Sequence, residues 1–431
     1  MRIVKINDEF AIATQLEVAD LKLIAERGFT KIVNLRPDLG RPSLLDNATE
    51  KAAANSAGLL YDFVPIRSSS ITLADIRALQ RSVSNTDGPI VVHAREPDLA
   101  LIVYAIAKVL DGEIELSELH ELGRIHEVDL SPAEQWIEQH NSRRPIVEAF
   151  FDPRTFSVQY VVTDPETSRC AIIDPVYDYD EKSGSTSTKS ADAILDYISR
   201  NGLSVEWILD THPHADHFSA AHYLKQKTGA PTAIGAHVVD VQKLWQAFYN
   251  WPDLQTDGTQ WDNLFHAGDT FKIGNLEGRV LFSPGHTLAS ITYVIGDAAF
   301  IHDTLFSPEF GSARADFPGG DARKLWQSIH AILALPDETR LFTGHDYPSN
   351  GQHPRWESTV AEQKRANPHV AGVTEEQYVS LREARDRTLP MPKLILHALQ
   401  VNIRGGRLPE PDDTGRRYLK IPIDAFEGCK W

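Results

Sequence analysis

Cysteine is nearly absent. The 431-residue chain has two, Cys170 and Cys429, too few for a disulfide framework. Cys170 lies in the apolar run Cys170-Ala171-Ile172-Ile173 and is expected in a core, while Cys429, close to the end, is assigned no role. Long hydrophobic runs are missing as well. The longest, Leu99 to Leu110, is interrupted by Lys108 and falls short of the roughly 20 residues needed to cross a bilayer. The first residues, Met1 to Glu9, carry charges where a secretory signal needs an apolar stretch. A soluble protein of the cytoplasm, where small thiols stay reduced, is the expectation. Positive charge is in deficit: 43 Lys and Arg against 60 Asp and Glu leave a net charge of −17. Such a surface repels phosphate, which argues against nucleic acids and anionic membranes as partners. Small molecules are the expected partners, and a homo-oligomer is compatible with this composition. There is no internal repeat, and the Ser/Thr/Gly-rich stretch 183–190 is expected as a surface loop.

What is present points to two domains, because the chain exceeds the length at which one hydrophobic core stops growing. Over residues 1–112, amphipathic segments (19–26, 74–83, 98–110) alternate with short apolar strands (31–35, 59–66, 89–93), the pattern of an α/β layer structure. The mixed-charge stretch 113–145 reads as a connector, with a helix start at Ser131-Pro132-Ala133-Glu134. A second domain is expected over 146–431.

Its strongest signal is His212-Pro213-His214-Ala215-Asp216-His217. It follows a buried strand, Val205 to Leu209, and precedes a segment, Phe218 to Gln226, that reads as a helix. Residues two apart in extended chain face the same way, so His212 and His214 can aim at one point, and Asp216 and His217 approach from the turn. Three further strands end in a candidate ligand: Val280 to Phe282 leads to His286, Ala298 to Ile301 to Asp303, and Leu341 to Thr343 to His345. Imidazole and carboxylate without thiolate is the donor set of first-row metal sites. Seven such groups in strand-end loops read as a metalloenzyme.

The order H-x-H-x-D-H, P-G-H-T, strand-end Asp, G-H-D-Y resembles the metallo-beta-lactamase superfamily over about Ala149 to Arg407. That likeness implies an αββα sandwich of two sheets with helices outside. Within the superfamily, Arg314 to Asp321 (Arg-Ala-Asp-Phe-Pro-Gly-Gly-Asp), Gly344 to Tyr347, Leu389 to Lys393 and Val401 to Gly406 resemble the persulfide dioxygenases. The whole chain looks like the bacterial beta-lactamase hydrolase-like proteins, in which such a domain is fused to a phosphatase-like or rhodanese-like one. The dioxygenase likeness implies one Fe(II) per chain held by His212, His286 and Asp303. His214, Asp216, His217 and His345 would then orient those ligands, and Arg314 and Tyr347 would face the substrate. The substrates implied are a low-molecular-weight persulfide, such as glutathione persulfide, and dioxygen. If all seven groups bind instead, two Zn(II) ions bridged by Asp303 would serve a hydrolase of glyoxalase II type. A third reading is a sensor or scaffold that binds metal without turnover. His302 stands where this family usually has glycine, and its ring either points into the core or crowds the metal.

The N-terminal segment Val91-Val92-His93-Ala94-Arg95-Glu96-Pro97-Asp98 resembles the loop of cysteine phosphatases and rhodaneses. The thiolate position is Ala94, and the positions of the anion-gripping arginine are Leu99 and Ala100. The loop lacks its nucleophile, so this domain is expected to share the fold alone.

Overall fold

The computed structural model describes residues 2–426 except 15, 38–45, 69, 70, 85, 87, 143, 349–351 and 425, without the side chains of 74, 97 and 139–142. Cys429 lies outside the described residues. The chain forms two compact units, 1–141 and 142–431.

The first unit contains β1 (Ile3–Lys5), β2 (Phe10–Ala13), α1 (Val18–Glu26), β3 (Lys31–Asn34), α2 (Asn47–Ser56), β4 (Leu60–Phe63), α3 (Leu73–Ser84), β5 (Ile90–His93), α4 (Pro97–Leu110), α5 (Leu119–His126) and α6 (Ser131–Ser142). Its sheet has the order β1-β2-β5-β3-β4, parallel except for β1. Alternation along each strand sorts the two faces. Ile12, Val33 and Val92 meet α3, α4 and α6 through Leu79, Leu101 and Ile137. Ala11, Ile32 and Val91 meet α1 and α2 through Leu21, Ile24 and Ala54. Both faces are covered, which is why these strands read as unbroken apolar runs.

Residues 113–141, expected as part of a connector spanning 113–145, are not one. Through residue 141 they belong to the first unit, and Leu119, Leu130 and Ile137 are buried in the same core as α4. Four of the charged residues that suggested a linker, Glu121, Arg124, Glu134 and Glu138, lie on α5 and α6, which bury Leu119 and Ile137. Each of Leu119, Leu130 and Ile137 contributes about 1.5–3 kcal/mol by burial, together comparable with the whole stability of a domain. A fragment of residues 1–141 is therefore expected to melt cooperatively when followed by circular dichroism, and a fragment of residues 1–112 is not. A cooperative transition in the shorter fragment would return α5 and α6 to the status of a linker.

The second unit runs β6 (Ile146–Phe151), β7 (Val158–Thr163), β8 (Arg169–Ile173), β9 (Val176–Asp180), β10 (Ser185–Ser187), α7 (Lys189–Arg200), β11 (Ser204–Leu209), β12 (Phe218–Ser219), α8 (Ala221–Thr228), β13 (Thr232–Gly235), α9 (Val238–Phe248) and β14 (Asn263–Phe265). It continues with β15 (Thr270–Ile273), β16 (Leu276–Phe282), β17 (Ile291–Ile295), β18 (Ala298–His302), α10 (Ala322–Leu333), β19 (Arg340–Thr343), β20 (Glu357–Thr359), α11 (Val360–Ala366), α12 (Glu375–Asp386) and α13 (Ile395–Asn402). Two six-stranded sheets, β14-β13-β11-β8-β7-β6 and β15-β16-β17-β18-β19-β20, face each other. Tyr160, Val162, Ile173 and Leu209 from one interleave with Phe271, Val280, Tyr293 and Phe300 from the other. On the outer faces, α7 and α8 cover Val161, Cys170 and Ile208, and α10 to α12 cover Ala299, Ile301 and Leu341. The expected αββα sandwich is the observed fold, and Cys170 is fully buried as expected.

Two local expectations change. Phe218 and Ser219 are not helical. They pair with Tyr177 and Val176 of β9, and the helix begins at Ala221. The stretch 183–190 is not all loop, since Ser185 to Ser187 pair with Asp180 to Asp178 of β9. Three hydroxyl residues with no apolar alternation, two of them exposed, carry no strand signal.

Candidate metal centre

The seven groups come together at the ends of β11, β16, β18 and β19. Two glycines make this possible. At Gly285, with φ 128°, a Cβ would sit 2.2 Å from the Leu325 backbone nitrogen, and at Gly344 it would sit 2.5 Å from Asp303 Oδ1, so neither turn admits a side chain. At β18 the pairing with β19 shifts register between Phe300 and His302, and His302 takes φ 41°. That left-handed geometry is where glycine costs least, and together with the bulge it turns Asp303 into the site. The His302 ring stands 5.2 Å from that of His212, and its Nε2 lies 3.1 Å from both the Ser283 and the Thr304 hydroxyls. It lies behind His212, and burial lowers its pKa to about 3.

His212, His286 and Asp303 offer one ligand atom each, all within 4.8 Å of one another. Their tautomers follow from hydrogen bonds. Thr211 Oγ1 donates to Asp174 Oδ2 at 2.8 Å, so at 3.0 Å from His212 Nδ1 it can only accept, and the proton is on Nδ1. His286 Nδ1 donates to the Arg314 carbonyl at 2.9 Å. Both Nε2 atoms therefore present lone pairs, 4.0 and 3.5 Å from Asp303 Oδ2. His212 Nε2 is buried and has no hydrogen-bond partner among the described residues. Burial, reinforced by the neighbouring imidazoles, holds the His212 pKa well below its usual value, which keeps it in the neutral form that binds metal. Two neutral imidazoles and a carboxylate, each fixed by a further hydrogen bond, fit a divalent first-row ion.

The other four groups are more closed. Asp216 Oδ2 accepts from Ser157 Oγ at 2.8 Å, His217 Nδ1 at 3.0 Å and His345 Nε2 at 2.9 Å. His345 also donates through Nδ1 to Asp303 Oδ1 at 2.6 Å. Burial opposes its charge, but Asp303 and Asp216 outweigh burial and hold His345 well above the usual pKa, as an imidazolium. His214 is likewise raised, to about 9, because Asp174 overcomes burial through a 3.0 Å contact to Nε2. His214 Nδ1 and His217 Nε2 nevertheless lack protein partners, and His214, Asp216 and His217 form a second group with ligand atoms within 4.8 Å. A third, Asp174, Asp210 and His214, shares His214 with it.

Sequence reasoning missed three supporting residues. Asp174, at the end of β8, fixes Thr211 and His214. Its signal was the run Ile172-Ile173-Asp174-Pro175, a strand ending in a carboxylate like that before Asp303. Asn402 on α13 donates through Nδ2 to the carbonyls of His214 at 2.7 Å and His217 at 2.8 Å, and its Oδ1 accepts from Ser219 N at 2.7 Å. Ser157 left no trace in the sequence.

The cluster opens into a cavity of about 630 Å³ lined by Phe306, Phe310, Phe317, Arg314 and Tyr347, with Asp216, His286, Asp303 and His345 at its base. The Arg314 guanidinium is already paired. Nε and Nη2 donate to Asp316 at 2.6 and 2.8 Å, and Nη1 to the Pro390 carbonyl at 2.7 Å. The side chain anchors the loop, and the contribution to the site is the backbone carbonyl on His286. Tyr347 stacks on His345 with ring centroids 5.9 Å apart and an interplanar angle of 5°, and it is 44% exposed, so it is not a core residue.

Fold and donor cluster together define a metallo-beta-lactamase domain: residues 152–345 match the metallo-beta-lactamase superfamily, and residues 2–111 match the beta-lactamase hydrolase-like protein, phosphatase-like domain. The chain belongs to the beta-lactamase hydrolase-like proteins, of which one from Agrobacterium fabrum is 62% identical over 100% of both chains. Glyoxylase B2 of Dictyostelium discoideum is 43% identical over 66% of this chain and 99% of its own. The mitochondrial persulfide dioxygenase ETHE1 of Homo sapiens is 28% identical over 61% of this chain and 89% of its own. Among solved structures, ETHE1 from Myxococcus xanthus is 31% identical, covering 61% of this chain and 100% of that one, with a TM-score of 0.50. No helix among the described residues is long and apolar enough to cross a membrane.

Proposed function

We propose that the second unit is a persulfide dioxygenase. The reaction takes a small-molecule persulfide, dioxygen and water to the thiol and sulfite. The observation that carries this reading is the inequality of the two halves of the cluster. Two Nε2 lone pairs and Asp303 Oδ2 converge in one half, while Asp216 and His345 in the other are engaged with each other and with Ser157. His212, His286 and Asp303 would hold ferrous iron, which when bound would supply one-electron chemistry toward dioxygen and the persulfide. The chain's own contribution is to place and protect. Phe306, Phe310 and Phe317 exclude water from the persulfide, the Arg314 carbonyl holds the His286 tautomer, and the buried His345 imidazolium keeps Asp303 ionised at about pKa 2 against the cost of burial. Similarity to the ETHE1 proteins supports the same reading.

A second reading is a dinuclear zinc hydrolase. It is favoured by the unpartnered His217 Nε2 and His214 Nδ1 and by similarity to glyoxylase B2. One experiment separates the two. Protein from iron-replete cells, purified without chelator, is expected to hold close to one iron per chain and to consume oxygen and release sulfite when given glutathione persulfide. Two zinc ions per chain, with S-lactoylglutathione hydrolysis and no oxygen uptake, would establish the hydrolase instead. A protein with metal and neither activity would be the sensor or scaffold.

For the first unit we propose a non-catalytic role. Ala94 follows β5 directly, Leu99 and Ala100 are buried in the core, and the loop sequence 93–98 contains no cysteine. The fragment of residues 1–141 should accordingly show neither phosphatase nor thiosulfate sulfurtransferase turnover.

A further inference from the structure

Three arginines line the cavity above the cluster, Arg314, Arg382 and Arg385. Two are neutralised in place. Arg314 is paired with Asp316, and Arg382, 4% exposed, pairs with Asp386 at 2.6 Å and donates to the Ser312 carbonyl at 3.0 Å. Arg385 is different. It lies three residues after Arg382 on α12, on the same side of the helix. It is exposed and makes no ion pair among the described residues.

His369 lines the same cavity. Its Nδ1 lies 3.0 Å from the Ser312 backbone N–H and 3.0 Å from Ser312 Oγ, and Ser312 Oγ is 2.9 Å from the hydroxyl of the buried Tyr378. An Nδ1 that accepts from a backbone N–H carries no proton, so the ring proton is on Nε2. Gly311 makes room for the ring, since a Cβ there would sit 2.5 Å from His369 Nδ1. Burial, aided by the Arg382 charge, lowers the His369 pKa to about 4, so the ring stays a neutral donor at physiological pH. The remaining wall is apolar, with Phe306, Phe310, Leu381 and Leu389.

We propose that Arg385, assisted by the Nε2–H of His369, anchors a carboxylate on the thiol carrier, so that the cavity selects carboxylate-bearing thiols over neutral ones of the same shape. This rests on the proposed reaction in so far as its substrate is a persulfide on a small-molecule carrier. The charge pattern fits that class of ligand. The base of the cavity holds Asp216 and Asp303, the middle is apolar, and the one uncompensated cation among its described residues is Arg385. A guanidinium grips a carboxylate in a directional pair, and the low-dielectric wall strengthens the contact.

The test is binding, measured by anaerobic calorimetry on the metal-loaded full chain, with glutathione and its diethyl ester as probes. The parent protein should bind glutathione at least ten-fold more tightly than the ester, with the preference shrinking as salt rises from 50 to 500 mM. In Arg385→Gln the preference should fall by at least ten-fold and its salt dependence should disappear, while Arg385→Lys should restore part of both. His369→Phe should reduce the preference about three-fold. Equal binding of the two probes by the parent protein, or an unchanged preference in Arg385→Gln, would overturn the inference. Oxygen uptake with glutathione persulfide is measured separately on the parent protein. Its absence would remove the dioxygenase reading without touching the binding result.

Discussion

Replacing Asp303 with asparagine is expected to strip the metal from the second unit and abolish turnover. Asp303 is the one carboxylate in the group with His212 and His286, and its other oxygen accepts from the buried His345 at 2.6 Å. Asparagine keeps the shape and loses the charge on both sides at once. Removing one partner of a buried, hydrogen-bonded charge pair costs about 3–5 kcal/mol, or roughly two to three and a half decades of affinity where that loss falls on metal binding. Metal content after dialysis and oxygen uptake read the two effects independently. Stoichiometric metal with normal turnover in Asp303→Asn would move the essential charge to Asp216.

Replacing Glu50 with alanine is expected to lower the stability of the first unit by about 3–5 kcal/mol, a fall of roughly 10–20 °C in Tm for a unit of this size. Glu50 is fully buried on α2, next to the ends of β3 and β5. It accepts from Asn34 Nδ2 and Arg36 Nη2 at 3.1 Å each, and its other oxygen lies 2.6 Å from His93 Nε2. One carboxylate thus ties together two strand ends and the helix that covers them. Glu50→Gln, which keeps an acceptor of the same shape, should lose less. The 1–141 fragment followed by differential scanning calorimetry gives the comparison, and an unchanged transition in Glu50→Ala would show that the cluster does not hold the strand ends.

The second unit was more legible in the sequence than the boundary of the first. Its candidate ligands are chemically rare groups placed just past apolar strands, and the fold brings His212, His286, Asp303 and His345 into one cluster. The αββα layering followed from the family likeness, since strands such as β7, buried along their whole length, show no alternation to read. Residues 113–141 misled because α5 and α6 are short and mostly polar, with a few buried residues spaced one or more turns apart. Arg314 was correctly placed near the site, but sequence cannot tell a free guanidinium from one held by a carboxylate two residues on, and Asp316 was the partner. Arg385 escaped notice for the opposite reason: nothing about an arginine in a charged helix reveals that its neighbours leave it unpaired. His302 illustrates a partial success. A side chain at a glycine-favoured position was recognised as unusual, and the left-handed backbone with two hydroxyls at Nε2 accounts for how it is accommodated.

Asn402 gives the site a place in time as well as in space. Its amide closes the loop that carries His214 and His217, yet it lies 188 and 185 residues further along the chain. As the polypeptide leaves the ribosome, N-terminal segments fold first, and all seven candidate ligands emerge before the clamp does. A chain ending before Asn402 would carry all seven candidate ligands without the amide that accepts from Ser219 N and donates to the His214 and His217 carbonyls.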